Sequence, residues 1–474
     1  VLFPTVTFAL FFALVYAGHW MLLRRPLAWK WFLLAASYVF YGYWDWRFLL
    51  LIGGSSVVNH AAAVAIARTA SPGGRRALVT GATIANLAVL GFYKYYGFFV
   101  VNAYALCGAL GVPCPFPLLD AVLPVGISFF TFQAMSYTID VHRKVIPPAA
   151  SHLDFALYLA FFPQLVAGPI VRASTLLPQI ERPSPPTRID VGRATVLILG
   201  GLFKKIVVAS ALATRLVEPV FDNPELYGAA DVLLAVYGYC VQIYCDFSAY
   251  SDIAIGVALL MGFHFPVNFD APFFSVSFQE FWRRWHISLS TWLRDYLFFP
   301  LGGSRGSEGR ISRNLFLTFL LGGLWHGAGW NFAIWGALHG FFLIAERQIA
   351  LIRGGIRRTV EAFSLPSRIL RAAVVFHLLG FSLIFFRART LDDALTMLRS
   401  LGDLRPATLA AAPALVMLVV GFATQALDGA RLRRLWDAWA RWPAWVQGLA
   451  AAAILTVICA LGPRGVAPFV YFQF

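Results

Sequence analysis

LFLTFLLGGLWHGAGWNFAIWGALHGFFLIA, Leu315–Ala345, contains no Asp, Glu, Lys or Arg, yet holds an imidazole, His326, near its middle among Gly322, Gly323, Gly327 and Gly329. A helix crosses a bilayer in ~20 apolar residues. Residues 314–346 are therefore too long for one crossing and too short for two. Irregular backbone at membrane depth is tolerated only when buried in protein or lining a wet cavity. The stretch thus predicts a broken helix with His326 at its inner tip, facing a cavity. A titratable side chain at that depth is costly and marks function. Two readings of His326 follow: a core histidine bonded to a carbonyl, or a general base whose ordinary pKa lies close to working pH.

The rest of the chain supports the membrane reading. Of 474 residues, 59% are hydrophobic and 13% charged, with a mean hydropathy of +0.70. A soluble protein of this size needs more polar surface than that. Apolar runs recur at Phe8–Leu23, Trp31–Tyr43, Ala77–Val101, Val232–Met261 and Ala444–Leu461. The first has its basic flank, Arg24 and Arg25, after it, and is expected to be a span rather than a removed signal peptide.

The formal charge of +15 points to orientation, not to nucleic acid. Segments 24–30, 68–76, 142–147, 172–193, 283–313, 347–371 and 431–441 hold 28 of the 38 Lys and Arg, the pattern of cytoplasmic loops. Arg387, Arg389, Arg399 and Arg405 fall outside under this assignment, and Lys204 and Lys205 are expected to mark the start of a span. Ten full spans and two re-entrant elements (150–171 and 314–346) follow, with both termini outside. No internal repeat of the transporter kind is visible. The five cysteines have no zinc-ligand spacing, so no metal is expected. Cys107 and Cys114 share a proposed outside loop where a disulfide is permitted.

Two further stretches carry chemistry. In FQEFWRRWHISLSTWLRDYLFFP (278–300), Trp282, Trp285, Leu289, Trp292 and Tyr296 recur on one helical face, with Arg283, Arg284 and Arg294 elsewhere. This predicts an amphipathic helix at the cytoplasmic interface. His286 beside that face is either an interfacial polar residue or part of a site. Arg305, Arg310 and Arg313 either hold an anionic cofactor or form an ordinary basic loop. In YCVQIYCDFSAYSDIAIG (239–256), Asp246, Ser248 and Asp252 interrupt an apolar span. Both carboxylates must face a cavity or a partner. Gln133 and Gln164 are similar polar points, read as structural.

PVGISFFTFQ, FFPQLVAGPI, CDFSAYSDIAIG, RRWHISLSTWLRDYLFFPLGG, LWHGAGWNFAIWGALHG and FVYFQF together resemble the bacterial branch of the membrane-bound O-acyltransferase superfamily, the branch that acetylates alginate, peptidoglycan or cellulose. The likeness runs through residues 1–474 as a single membrane domain with an extracytoplasmic aromatic tail at 465–474. It implies an all-α polytopic fold of about 10–12 transmembrane helices plus re-entrant elements around a central tunnel. It places the family's invariant histidine on His326 and its second characteristic histidine on His286. Arg283, Arg284, Trp285, Arg294 and Arg305 are then candidates for binding the donor. Gln133, Asp246, Ser248, Asp252 and Asn331 are candidates for the tunnel wall or its support.

The resemblance implies transfer of an acetyl group from acetyl-CoA across the bacterial inner membrane toward an extracytoplasmic polysaccharide, completed by a periplasmic or membrane-anchored acetyltransferase. Tyr471, in Phe469-Val470-Tyr471-Phe472, is expected to take the acyl group as a covalent carrier activated by His326; the alternative is an interfacial aromatic anchor. Two rival functions remain: a D-alanyl transferase of teichoic acid synthesis, and a polysaccharide transporter or export channel.

Overall fold

The computed structural model describes residues 3–119, 122–185, 189–353, 363–410, 412–426 and 429–462. Every regular element among them is helical. Six helices are long and apolar enough to cross a membrane: Arg47–Arg68, Pro72–Leu110, Val191–Asp222, Ala229–Leu260, Leu365–Arg387 and Ala444–Leu461. Val6–Leu22 and Ala412–Thr424 are apolar but shorter. The last expected span, Ala444–Leu461, has its predicted bounds. Residues 150–171 form only the short helices His152–Ala160 and Phe162–Leu165, broken ahead of Pro163 as its missing N–H requires.

The chain divides into two compact units, Val1–Asp190 with Val257–Pro266, and Val191–Gly256 with Val267–Phe474. The first is knit by aromatic rings and a few buried polar pairs. Phe8, Phe11 and Phe40 gather on Phe162, and Tyr137 stacks on Phe155 with centroids 4.2 Å apart. Asn59 and Asn86 exchange amide hydrogen bonds of 3.2 and 2.7 Å, and Lys30 pairs with Asp154 at 2.5 Å. Gly126 adopts φ +76, and a Cβ there would meet the Leu165 carbonyl at 2.5 Å. Only glycine fits both conditions.

The second unit is built on residues 229–256 of the helix Ala229–Leu260. Small residues let the helix Val191–Asp222 approach it closely, because no side chain holds the backbones apart. A Cβ on Gly201 would sit 2.9 Å from the Ala249 carbonyl, and one on Gly256 would sit 2.9 Å from the Ala194 carbonyl. Two π-helical turns, Phe203–Ala209 and Ala213–Val217, interrupt the Val191–Asp222 run. π turns of this kind gather at functional or strained positions.

The helices Glu308–His326 and Trp330–Ile352 form a tight hairpin. Gly323 lies against the Phe332 carbonyl and Gly336, while Gly340 lies against Phe316. The hairpin is longer than the expected 314–346, because both helices continue into their charged flanks; Arg347 forms a bidentate pair with Glu308 at 2.7 and 2.8 Å.

Candidate active site

The helix Glu308–His326 ends at His326 because Gly327 and Gly329 are extended, at φ −158 and −164, before a new helix starts at Trp330. A Cβ on Gly327 would run into the Phe332 ring. The predicted break is therefore present, with His326 as its last helical residue. His326 is 6% exposed, and three rings meet it edge-on: Trp325 at 5.0 Å, Trp335 at 5.1 Å and Phe386 at 5.2 Å. Asn331 anchors the far side of the break, its amide donating to the Ala388 carbonyl at 2.9 Å. His339 is fully buried one helical stretch on, with Nε2 3.0 Å from Ser382 Oγ.

The continuous amphipathic helix expected over 278–300 is broken. Ser277 caps a helix Phe278–Arg284, a second helix runs Ile287–Leu293, and a π turn follows at Arg294–Phe298. His286 stands at the break in the left-handed region, φ 42 and ψ 54. The aromatic face is real, since Trp282, Trp285, Leu289, Trp292 and Tyr296 are all buried. What the spacing could not show is that the loop 268–270 pairs with the break. The Ile287 N–H donates to the Asn268 carbonyl, and the Asp270 N–H donates to the Arg284 carbonyl, each at 2.9 Å. A strained backbone persists where its surroundings over-determine it.

His286 has no exposed surface; Phe247 meets its ring edge-on at 4.5 Å and Trp325 lies 6.3 Å away. Trp325 thus touches both candidate histidines. His286 lies outside the six candidate spans, and burial pushes its imidazole down to about 3, so the ring is neutral at working pH. Three of the five donor-binding candidates are exposed. Arg283 and Arg294 are exposed, Arg284 pairs with Glu280 at 2.7 Å, and Arg294 pairs with Asp295 at 2.7 Å. Arg305 is exposed in the glycine-rich turn that follows, and Trp285 is buried against Phe281 and Phe269.

Asp246 and Asp252 have partners. Lys205 pairs with Asp246 at 2.6 Å, with side chains 5% and 2% exposed. Lys204 pairs with Asp252 at 2.6 Å and donates to Ser248 at 2.8 Å. This corrects the placement of the two lysines: they do not begin a span but lie inside one, on the π turn Phe203–Ala209. In the first unit, Gln133 is buried and donates to the Val171 carbonyl at 3.5 Å. Cys107 and Cys114 are free thiols. Tyr471 and the tail 465–474 lie outside the described residues.

The sequence profile of the membrane-bound O-acyltransferase family matches residues 140–384, a range that contains both histidines, the ion pairs and the hairpin. The chain belongs to this family. The probable alginate O-acetylase AlgI of Pseudomonas aeruginosa is 42% identical over 369 residues, covering 77% of this chain and 68% of that protein. The peptidoglycan O-acetyltransferase of Helicobacter pylori is 35% identical over 435 residues, covering 86% and 80%. A teichoic acid D-alanyltransferase of Streptococcus thermophilus is 30% identical over 236 residues, covering 46% and 56%.

The protein is thus an all-helical, multi-pass membrane acyltransferase. Within the second unit of this acyltransferase, one aromatic cluster collects His286, His326 and His339. Trp282 and Trp335 both border His339, and Trp335 also borders His326. Sequence reasoning missed two residue sets here, Lys204 with Lys205 and Asn268. A Lys-Lys pair within an apolar run, 41 and 48 residues before two intramembrane carboxylates, was a usable signal. Asn268, between Pro266 and Pro272 in an unremarked loop, offered none.

Proposed function

We propose that the protein moves an acetyl group from cytoplasmic acetyl-CoA across the inner membrane for O-acetylation of an extracytoplasmic polysaccharide, with a periplasmic or membrane-anchored acetyltransferase completing the transfer. The observation that carries this reading is the pair of buried histidines on either side of Trp325, at helix breaks, in a chain whose relatives are named for acetylation of alginate and peptidoglycan. The D-alanyltransferase relatives share less than half of this chain, which disfavours the carrier-protein route. A transport channel has no support in the family to which the chain belongs.

In this reading His326 accepts the proton of an attacking hydroxyl. The oxygen adds to the thioester carbonyl, the C–S bond breaks, and the proton passes to the departing thiolate. His286 and the surrounding arginines position the donor. The packed rings keep water from the acyl group. Tyr471 is the proposed first hydroxyl acceptor, later relieved of its acetyl by the periplasmic partner; splitting one transfer into two is covalent catalysis.

Two experiments test the reading. Purified protein given acetyl-CoA is expected to release free thiol, and absence of release from the folded protein overturns the donor assignment. A strain carrying Tyr471→Phe, which loses only the oxygen, is expected to make unacetylated polymer. Wild-type acetylation in that strain leaves Tyr471 as an anchor.

A further inference from the structure

Asn268 is buried and sits at the centre of a polar knot inside the aromatic cluster. Its Nδ2 donates to Ser251 Oγ at 3.0 Å, and its Oδ1 lies 3.1 Å from the Ser288 N–H, 2.9 Å from Ser288 Oγ and 3.3 Å from His286 Nδ1. The contact with the Ser288 N–H fixes the amide's orientation, because a backbone N–H only donates and must face the carbonyl oxygen. An amide oxygen only accepts. The imidazole nitrogen facing it must therefore be the one that carries hydrogen.

We propose that Asn268 is a positioning residue that holds His286 as its Nδ1–H tautomer and so presents the Nε2 lone pair to substrate as a hydrogen-bond acceptor. Nε2 is fully buried and has no hydrogen-bond partner among the described residues. A thioester carbonyl and the oxyanion derived from it can only accept. An Nε2 lone pair holds neither, so His286 is excluded as an oxyanion donor. It instead receives an N–H or O–H of a substrate, such as an amide N–H on the pantetheine arm of a coenzyme A donor. That assignment of a substrate group rests on the acyltransferase reading above; the tautomer does not.

Burial supports the same state, since a ring held neutral must have one bare nitrogen. Of the charged and titratable groups on the elements packed against His286, Asp246 pairs with Lys205 and Asp252 with Lys204, Arg284 pairs with Glu280, Arg283 and Asp270 are exposed, Tyr244 and Tyr250 are buried phenols on the helix that carries Phe247, and His326 lies beyond Trp325.

The test uses the full chain in detergent with ¹⁵N-labelled histidine, the His286 signals being identified by their loss in His286→Gln. A protonated Nδ1 and a bare Nε2 are expected; a protonated Nε2 overturns the proposal whether or not the protein turns over acetyl-CoA. The second arm compares Asn268→Asp with Asn268→Leu in thioester turnover. The carboxylate still accepts from Nδ1 but favours the imidazolium, so turnover is expected to survive at neutral pH while the His286 ring gains its second proton at a higher pH than in wild type, a profile read in the same ¹⁵N spectrum. Leucine offers no acceptor and is expected to lose at least tenfold at every pH. Equal behaviour of the two variants, or an Asp variant with the wild-type profile, overturns the proposal. If the Leu variant does not fold, the spectrum and the Asp profile still decide. A Nδ1–H spectrum in a protein inert to acetyl-CoA upholds the tautomer and refutes the donor instead.

Discussion

The two histidines beside Trp325 stand at two helix breaks made in different ways. At His326 the chain itself stops the helix: Gly327 and Gly329 take extended backbone, and a side chain at Gly327 would strike Phe332. At His286 nothing local stops it. The residues around it include no glycine or proline and keep an unbroken aromatic spacing, and the bend is held by the loop 268–270, which bonds to residues 284 and 287. One break is written in the residues beside it; the other is imposed by a segment 18 residues earlier in the chain. Propensity is a weak prior that tertiary hydrogen bonds override.

The same contrast separates polar groups whose partners are near in sequence from those whose partners are far, and substitutions sharpen it. The largest effect is expected where the distant partner is a buried charge. Lys205→Met removes the ion-pair partner of a carboxylate that is 2% exposed and is expected to cost ~3–5 kcal/mol, read as thermal unfolding in detergent. The double variant with Asp246→Leu is expected to regain most of this. A single variant as stable as wild type would show that the pair is not what holds the two helices.

A smaller effect is expected from the glycine seam of the hairpin. Gly323→Ala brings a methyl group against the Phe332 carbonyl and Gly336 backbone, which cannot rotate away, so a loss of ~1–3 kcal/mol is expected. If Gly323→Ala melts with wild type, the seam is looser than its geometry shows. Smallest of all is Ser382→Ala, which removes one neutral partner of His339. It is expected to cost ~1 kcal/mol with turnover changed by no more than a few-fold. A collapse of activity in Ser382→Ala would move His339 from support into the chemistry.

These differences also mark what the sequence could disclose. Apolar runs gave the membrane class and the positions of the five helices they cover, because hydropathy and length act locally. The glycines gave the His326 break for the same reason. The 278–300 stripe gave the buried face but not its bend, since periodicity records which side is buried and not whether the axis is continuous. Lys204 and Lys205 were misplaced because basic residues normally mark a span's cytoplasmic end, a rule that fails when each finds a carboxylate at depth. Among the arginines of 283–305, Arg284 and Arg294 carry ion pairs with Glu280 and Asp295 that composition did not disclose.

The central claim is that His326 is the general base of acyl transfer. It is tested most directly by thioester turnover in purified wild-type protein and in His326→Ala, with acetyl-CoA as donor and both proteins matched for melting temperature. Loss of one general base typically costs ~10²–10⁴ in rate, and a fall of that size with the fold retained is the predicted result. A folded His326→Ala protein that turns over acetyl-CoA within a few-fold of wild type would contradict the account.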